Sequence, residues 1–422
     1  MLHDPEKQPR EDLAPAALLR LGDQLSALLA RFDEQPLLGI VLVDASAMGF
    51  VEAEHGAAAR AQAIARLGAL VHEIADPCFG GDALILAGET GRLEVAIVAY
   101  RHADDGFFFR QELPGLARAL ERGIEQSGKR LVYPWAREAP LAGVGYTVAL
   151  RNPFRAAETQ LHAALDEARE DASLSRRMQE RQRRHAFMGV LLSGGVSSVY
   201  EPIVSVASKT VFGYEALARG PEGTEFHSPL VLFGSAERES LVFELDCLCR
   251  RSGLAGATAL PQGTRLFLNV RPTAIYDPQF RPDRVIQTLA ESNLSPSDVV
   301  FEISEQESIG NFSAFREIRD EYRKLGFQFA LDDTGAGYAS LNALIELEPE
   351  FIKVDRALIT HLDTDKSKQS LLRALQLVAD GIGARIIGEG LDTLEELDML
   401  GQLGIPFGQG WLFGHPTPLR AR

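Results

Sequence analysis

The sequence predicts two domains, an N-terminal α+β domain and a C-terminal TIM-like (β/α) barrel. Three observations carry this. At 422 residues the chain is too long for one ordinary hydrophobic core. An arginine-dense stretch, SLSRRMQERQRRH from Ser173 to His185, divides two halves of different pattern. Beyond it, short apolar strands alternate with helical stretches; this implies a parallel sheet with crossover helices, and six such units favour closure into a barrel. The expected boundaries are an N-terminal amphipathic helix over 1–35, the α+β domain over 36–170, an Arg-rich helical linker over 171–194 and the barrel over 195–422.

In the first half, residues 12–34 carry Leu and Ala at helical spacing and predict an amphipathic helix. Residues 37–43 (LLGIVLV) predict a buried strand ending at Asp44. Helices are predicted over 57–74, 114–126 and 156–172, and a strand pair over 83–87 and 93–100. Residues 173–185 read as a solvated helical connector, because the chain as a whole is acidic.

The formal net charge of −16 argues against nucleic acid or an anionic membrane surface as the main partner. No apolar run reaches bilayer length, so no membrane insertion is expected. The stretch MLHDPEKQPREDLAPAALL mixes charges of both signs and lacks a signal-peptide core, which predicts a cytoplasmic location. Three cysteines cannot build a disulfide framework, and no His or further Cys completes a zinc set around Cys247 and Cys249.

Function is written at the strand ends of the second half. Glu215 marks TVFGYEALA, Asn269 RLFLNV, Glu302 VVFEIS, Asp332 and Asp333 FQFALDD, Lys353 EFIKVD and Glu389 ARIIGEG. In a parallel barrel the C-terminal strand ends open on one face, so these groups converge there. Carboxylates so crowded repel each other by several kcal/mol, to order of magnitude, unless cations neutralise them. An oxygen ligand set without Cys or His suits Mg²⁺ or Mn²⁺, and adjacent Asp332 and Asp333 suit two ions.

These residues resemble the EAL domain of bacterial cyclic di-GMP phosphodiesterases from Tyr200 to Pro416. Glu215-Ala216-Leu217 is the naming tripeptide. Asn269, Phe301-Glu302-Ile303-Ser304-Glu305, the Asp332-Asp333-Thr334-Gly335-Ala336-Gly337-Tyr338 loop, Ile352-Lys353-Val354-Asp355, Glu389-Gly390-Leu391-Asp392-Thr393 and Gln409-Gly410-Trp411-Leu412-Phe413 follow in the family's order. The resemblance implies hydrolysis of cyclic di-GMP to linear pGpG, with two Mg²⁺ or Mn²⁺ ions on Glu215, Asn269, Glu302, Asp332 and Asp333. Lys353 would orient the attacking water and Glu389 would hold a metal or its water, or act as general base. Glu305 would brace the loop after Asp333. Leu217 and Arg219 would contact a guanine and a phosphate, with Gln409 and Glu201 bordering the substrate.

The chain departs from the family at Glu201 (usually Gln), Thr334 (usually aromatic), Asp392 (usually Glu), Trp411 (usually Tyr) and His415 (usually basic). None of these is an implied metal ligand. The altered loop at Thr334 keeps a second reading open, a receptor that binds cyclic di-GMP without turnover and signals to a protein partner.

Residues 37–172 resemble, more faintly, a GGDEF diguanylate cyclase domain, through Asp44, His55-Gly56, Phe79-Gly80-Gly81-Asp82-Ala83-Leu84 and Gly143-Val144-Gly145-Tyr146. The family's metal-binding Glu is Ala83 here, and its second acid after the first strand falls at Ser46. A degenerate, regulatory or dimerising module is therefore expected, with GTP sensing through Asp44 and the paired glycines as the remaining nucleotide role and a homodimer as the expected assembly.

Overall fold

The computed structural model describes residues 18–79, 81–89, 91–135, 141–304, 312–334 and 340–419. The chain divides into two compact units, residues 1–184 and 185–422.

Unit one is built on a four-stranded antiparallel sheet in the order β2-β3-β1-β4. The strands are β1 (Leu37–Asp44), β2 (Leu84–Ala87), β3 (Glu94–Arg101) and β4 (Gly143–Leu150). Four helices cover it: α1 (Leu25–Glu34), α2 (Gly49–Phe79), α3 (Leu113–Val132) and α4 (Ala157–Leu192). From β1 to β4 the order is β-α-β-β-α-β, the split βαβ arrangement. The run LLGIVLV is apolar throughout because β1 is covered on both faces. Val41 and Val43 pack with Leu67 of α2 and Leu120 of α3. Leu38, Ile40 and Leu42 point the other way, toward Phe32 of α1 and Leu165 of α4.

Three elements differ from expectation. Among the described residues the first α-helix begins at Leu25, because residues 19–21 pair with the edge of β2: Leu21 N donates to Ala87 O at 3.0 Å, and Ala87 N to Leu19 O at 2.8 Å; residues 12–17 of the expected helix lie outside the described residues. An edge strand's open backbone groups outweigh helix propensity there. Helix α2 starts at Gly49 and is broken at Gly56, whose φ of 85° and ψ of 174° suit a residue without Cβ. The helix expected over 156–172 and the helical connector expected after it form one continuous helix, α4, ending at Leu192. Its close seat on β4 depends on glycine: a Cβ on Gly145 would lie 2.2 Å from Ala168 O and 2.3 Å from Ala172 N.

Unit two is a closed eight-stranded barrel, β10-β11-β12-β5-β6-β7-β8-β9. Its strands are β5 (Ser197–Ser205), β6 (Val211–Arg219), β7 (Arg265–Asn269), β8 (Val299–Ser304), β9 (Gln328–Thr334), β10 (Phe351–Val354), β11 (Arg385–Gly388) and β12 (Phe407–Gln409). The six expected strands are β6 to β11, all parallel to their neighbours among themselves. Strand β5, unforeseen, runs antiparallel to both β6 and β12. The turn from Ser205 to Val211 is too short for a crossover helix, and Lys209 takes a φ of 58° to close it.

The barrel interior is layered by the two-residue period of the strands. An apolar plug is formed by Ile203, Phe267, Val300, Ala330, Phe351, Ile387 and Phe407. Two residues further along each parallel strand stand Asn269, Glu302, Asp332, Lys353, Glu389 and Gln409; on reversed β5 the equivalent step back reaches Glu201. One pleat thus separates oil from charge. Among the described residues, no helix is long and apolar enough to cross a membrane.

Candidate active site

Lys353 is the hub. Its side chain is 1% exposed, and its Nζ lies 3.0 Å from Glu215 Oε2, 2.9 Å from Glu302 Oε1, 3.3 Å from Asp332 Oδ1 and 2.8 Å from Glu389 Oε1. An ammonium has three donors for these four carboxylates. Glu302 is fully buried, and neither of its oxygens finds a directed hydrogen bond, although Oε1 lies 2.9 Å from Nζ.

Asp332 and Asp333 are adjacent, and a regular strand would send them to opposite faces. A β-bulge resolves this. Between the pairs Leu331–Ile352 and Thr334–Val354, β9 carries one residue more than β10. Asp333 takes up the excess with a φ of 57°. Its carboxylate thereby joins a group with Asp332 and Glu389, ligand atoms within 4.8 Å of one another. Bulges and left-handed non-glycine residues concentrate at functional sites because the strain needs a rigid frame.

The electrostatics follow from crowding. Burial, with Glu215 beside it, pushes Glu302 well above the usual carboxylate range. Burial likewise raises Glu389, and lifts Asp332 to about 6. Burial would also raise Glu215, but Lys353 and the amides of Gln409 and Asn269 outweigh it and hold it below its ordinary value. Burial opposes the charge on Lys353, yet the four acids around it keep it well above the ordinary lysine value.

Orphaned buried carboxylate oxygens with an excess of negative charge fit a divalent cation with oxygen ligands. Glu215, Glu302 and Asp332 form one candidate group, and Asp332, Asp333 and Glu389 a second, sharing Asp332. Asn269 is exposed at the mouth and donates from Nδ2 to Glu215 Oε1 at 3.0 Å.

Two cavities flank the acids. One, of about 290 Å³, runs past Asn269, Glu302, Asp332 and Asp333 and is walled by Leu217, Arg219 and Phe233. The other, about 210 Å³, lies over Glu201, Glu215, Glu389 and Gln409, with Arg356 and Trp411 at its rim. Thus every described residue named as a barrel site residue lines one of these two cavities, except Lys353, which lies among the acids, and Glu305 falls outside the described residues. Arg271, Asp246 and Phe233 were missed: they line the first cavity, and Asp246 and Phe233 lie on helices with no strand-end signal. Arg271 sits two residues beyond Asn269, where the end of β7 could have pointed to it.

Residues 179–416 match the family model described as the EAL domain. The chain belongs to the EAL domain family. The match covers unit two and its approach. Among relatives of this EAL chain is the probable cyclic di-GMP phosphodiesterase PdeG of Escherichia coli K12, 29% identical over 53% of this chain and 45% of that protein. Cyclic di-GMP phosphodiesterase PdeB of Shewanella oneidensis is 36% identical over 29% of this chain and 14% of its own length. The chain spans less than half the length of these curated relatives. The fold of the EAL barrel is shared with the PaMucR phosphodiesterase in complex with c-di-GMP (TM-score 0.50, 23% identity, covering 56% of this chain and 98% of that one). It is shared also with the Xanthomonas citri FimX EAL domain in complex with c-diGMP (TM-score 0.52, 19% identity, 57% and 97% covered).

Proposed function

We propose that unit two is a cyclic di-GMP phosphodiesterase, opening the ring to linear pGpG. The observation that carries this reading is the pair of acid groups sharing Asp332 around Lys353, set between two cavities. Glu215, Asn269, Glu302 and Asp332 would hold one divalent cation and Asp332, Asp333 and Glu389 a second, either Mg²⁺ or Mn²⁺. Bound there, the pair supplies Lewis acidity and a water of lowered pKa. Lys353 sets the charge balance of the ring and offers an N–H to a phosphate oxygen. Arg219 presents its fork of donors to a phosphate, while Leu217 and Phe233 give a guanine an apolar wall. Glu389 lines the second cavity and would either hold that second cation or take the proton of the attacking water. Water adds to one phosphorus, one P–O3′ bond breaks and the 3′ oxygen leaves as a hydroxyl.

Unit one is proposed to serve as a regulatory or dimerising module, a GGDEF-like fold without cyclase activity. Asp44, the one acid retained after β1, is engaged within its own unit: Ser46 N donates to Oδ1 at 2.9 Å and Arg176 Nε to Oδ2 at 3.2 Å. That engagement leaves little room for Mg²⁺-GTP.

The test is incubation of the full chain with cyclic di-GMP and Mn²⁺, followed by chromatography for pGpG. Product that disappears with EDTA supports the enzyme. Tight binding without product would establish a receptor instead. Cyclic di-GMP formed from GTP would overturn the account of unit one.

A further inference from the structure

Glu201 and Glu215 face each other across the antiparallel pair of β5 and β6. Two like charges directly opposite are unfavourable. The Gln409 amide lies between them, 3% exposed, and donates both of its hydrogens: Nε2 is 2.9 Å from Glu201 Oε2 and 2.6 Å from Glu215 Oε2. Its Oε1 is buried without a hydrogen-bond partner. An amide acceptor left orphaned in this way costs about 1–3 kcal/mol, so the orientation needs a cause. With one carboxylate the amide could swing its oxygen round to a donor. Two carboxylates on the same nitrogen prevent that.

We infer that Glu201 is a positioning residue: through the Gln409 amide it pins the Glu215 carboxylate in the orientation that receives a divalent cation. This rests on the reading of Glu215 as a cation ligand. Glu215 is held from three sides, Oε1 by Asn269 Nδ2 at 3.0 Å and Oε2 by Lys353 Nζ at 3.0 Å and Gln409 Nε2. Lys353 is itself fixed by Glu302, Asp332 and Glu389, and the geometry of Gln409 is set by Glu201. Outer partners that orient a ligand commonly carry about 10–100-fold of metal affinity. Glu201 is therefore no spare negative charge beside the substrate. Its oxygen is needed as an acceptor, and its charge is incidental.

The experiment is calorimetric titration of the full-length, EDTA-stripped protein with Mn²⁺, with melting temperatures in EDTA recorded alongside. Glu201→Met is expected to weaken Mn²⁺ binding about 10–100-fold. Glu201→Gln, whose carbonyl accepts the same hydrogen bond, is expected to restore binding close to wild type. Gln409→Met should match Glu201→Met, and the double variant should be no weaker than either, the non-additivity of a shared relay. If Glu201→Met does not fold, Glu201→Ser, too short to reach the amide, carries the same arm. Wild-type affinity in Glu201→Met, additive losses, or a Glu201→Gln as weak as Glu201→Met would overturn the inference, the last by showing that charge acts instead. A wild-type protein that binds no Mn²⁺ would instead sink the cation reading itself, and this inference with it.

Discussion

Lys353 on β10 reaches Glu215 on β6, four strands round an eight-stranded ring, with Nζ 3.0 Å from Oε2. The ammonium thus spans the barrel from one wall to the opposite one. It stands at the centre of the acids, where cations would also act.

Lys353→Met leaves five carboxylates with no internal cation. Breaking a buried pair by removing one partner costs about 3–5 kcal/mol. Urea unfolding in EDTA should show a loss of that order, and Mn²⁺ should stabilise the variant more than wild type. Turnover of cyclic di-GMP should fall sharply, by pGpG chromatography.

Arg271 lines the larger cavity beside Asn269, facing the same space as Arg219. Arg271→Ala should raise KM for cyclic di-GMP about 10–100-fold, the worth of a charged hydrogen bond of about 1.5–3 kcal/mol. The value of kcat should change much less. Steady-state kinetics with saturating Mn²⁺ read the split.

Glu396 is an acid away from the carboxylate ring. It is 4% exposed, accepting from His361 N at 2.9 Å, Asp392 N at 3.1 Å and Thr393 N at 3.2 Å. Burial raises its pKa, but these backbone donors outweigh burial and hold it below the usual value. A depressed folded pKa contributes stability above the unfolded value of about 4.3 and loses it as pH falls. Glu396→Gln should cost about 1–3 kcal/mol at neutral pH. The gap to wild type should close below about pH 4, followed by thermal unfolding across pH.

Gly145→Ala places a Cβ 2.2 Å from the Ala168 carbonyl of α4. Overpacking of this kind costs about 1–3 kcal/mol. Calorimetry of the full chain should show the unfolding of unit one lowered and that of unit two unmoved.

The acids could be read from sequence because an apolar strand has no local use for a terminal polar or charged side chain, and six strands repeating the anomaly, four of them with carboxylates, point to one mouth. The fold class was legible for the same periodic reason. Strand β5 was not, since SSVYEPIVS matches a surface strand equally well, and only the short turn to Val211 makes it antiparallel.

By itself the sequence determined the two-part architecture and the identity of the acids, because period and composition are local properties of a chain. Tertiary structure alone decided which oxygens meet. The bulge that turns Asp333 inward, the span of Lys353 to the far wall and the Gln409 amide wedged between Glu201 and Glu215 each join residues far apart in sequence, or break the alternation a strand would impose. Contacts of that kind depend on how the barrel closes, a constraint that no single strand carries.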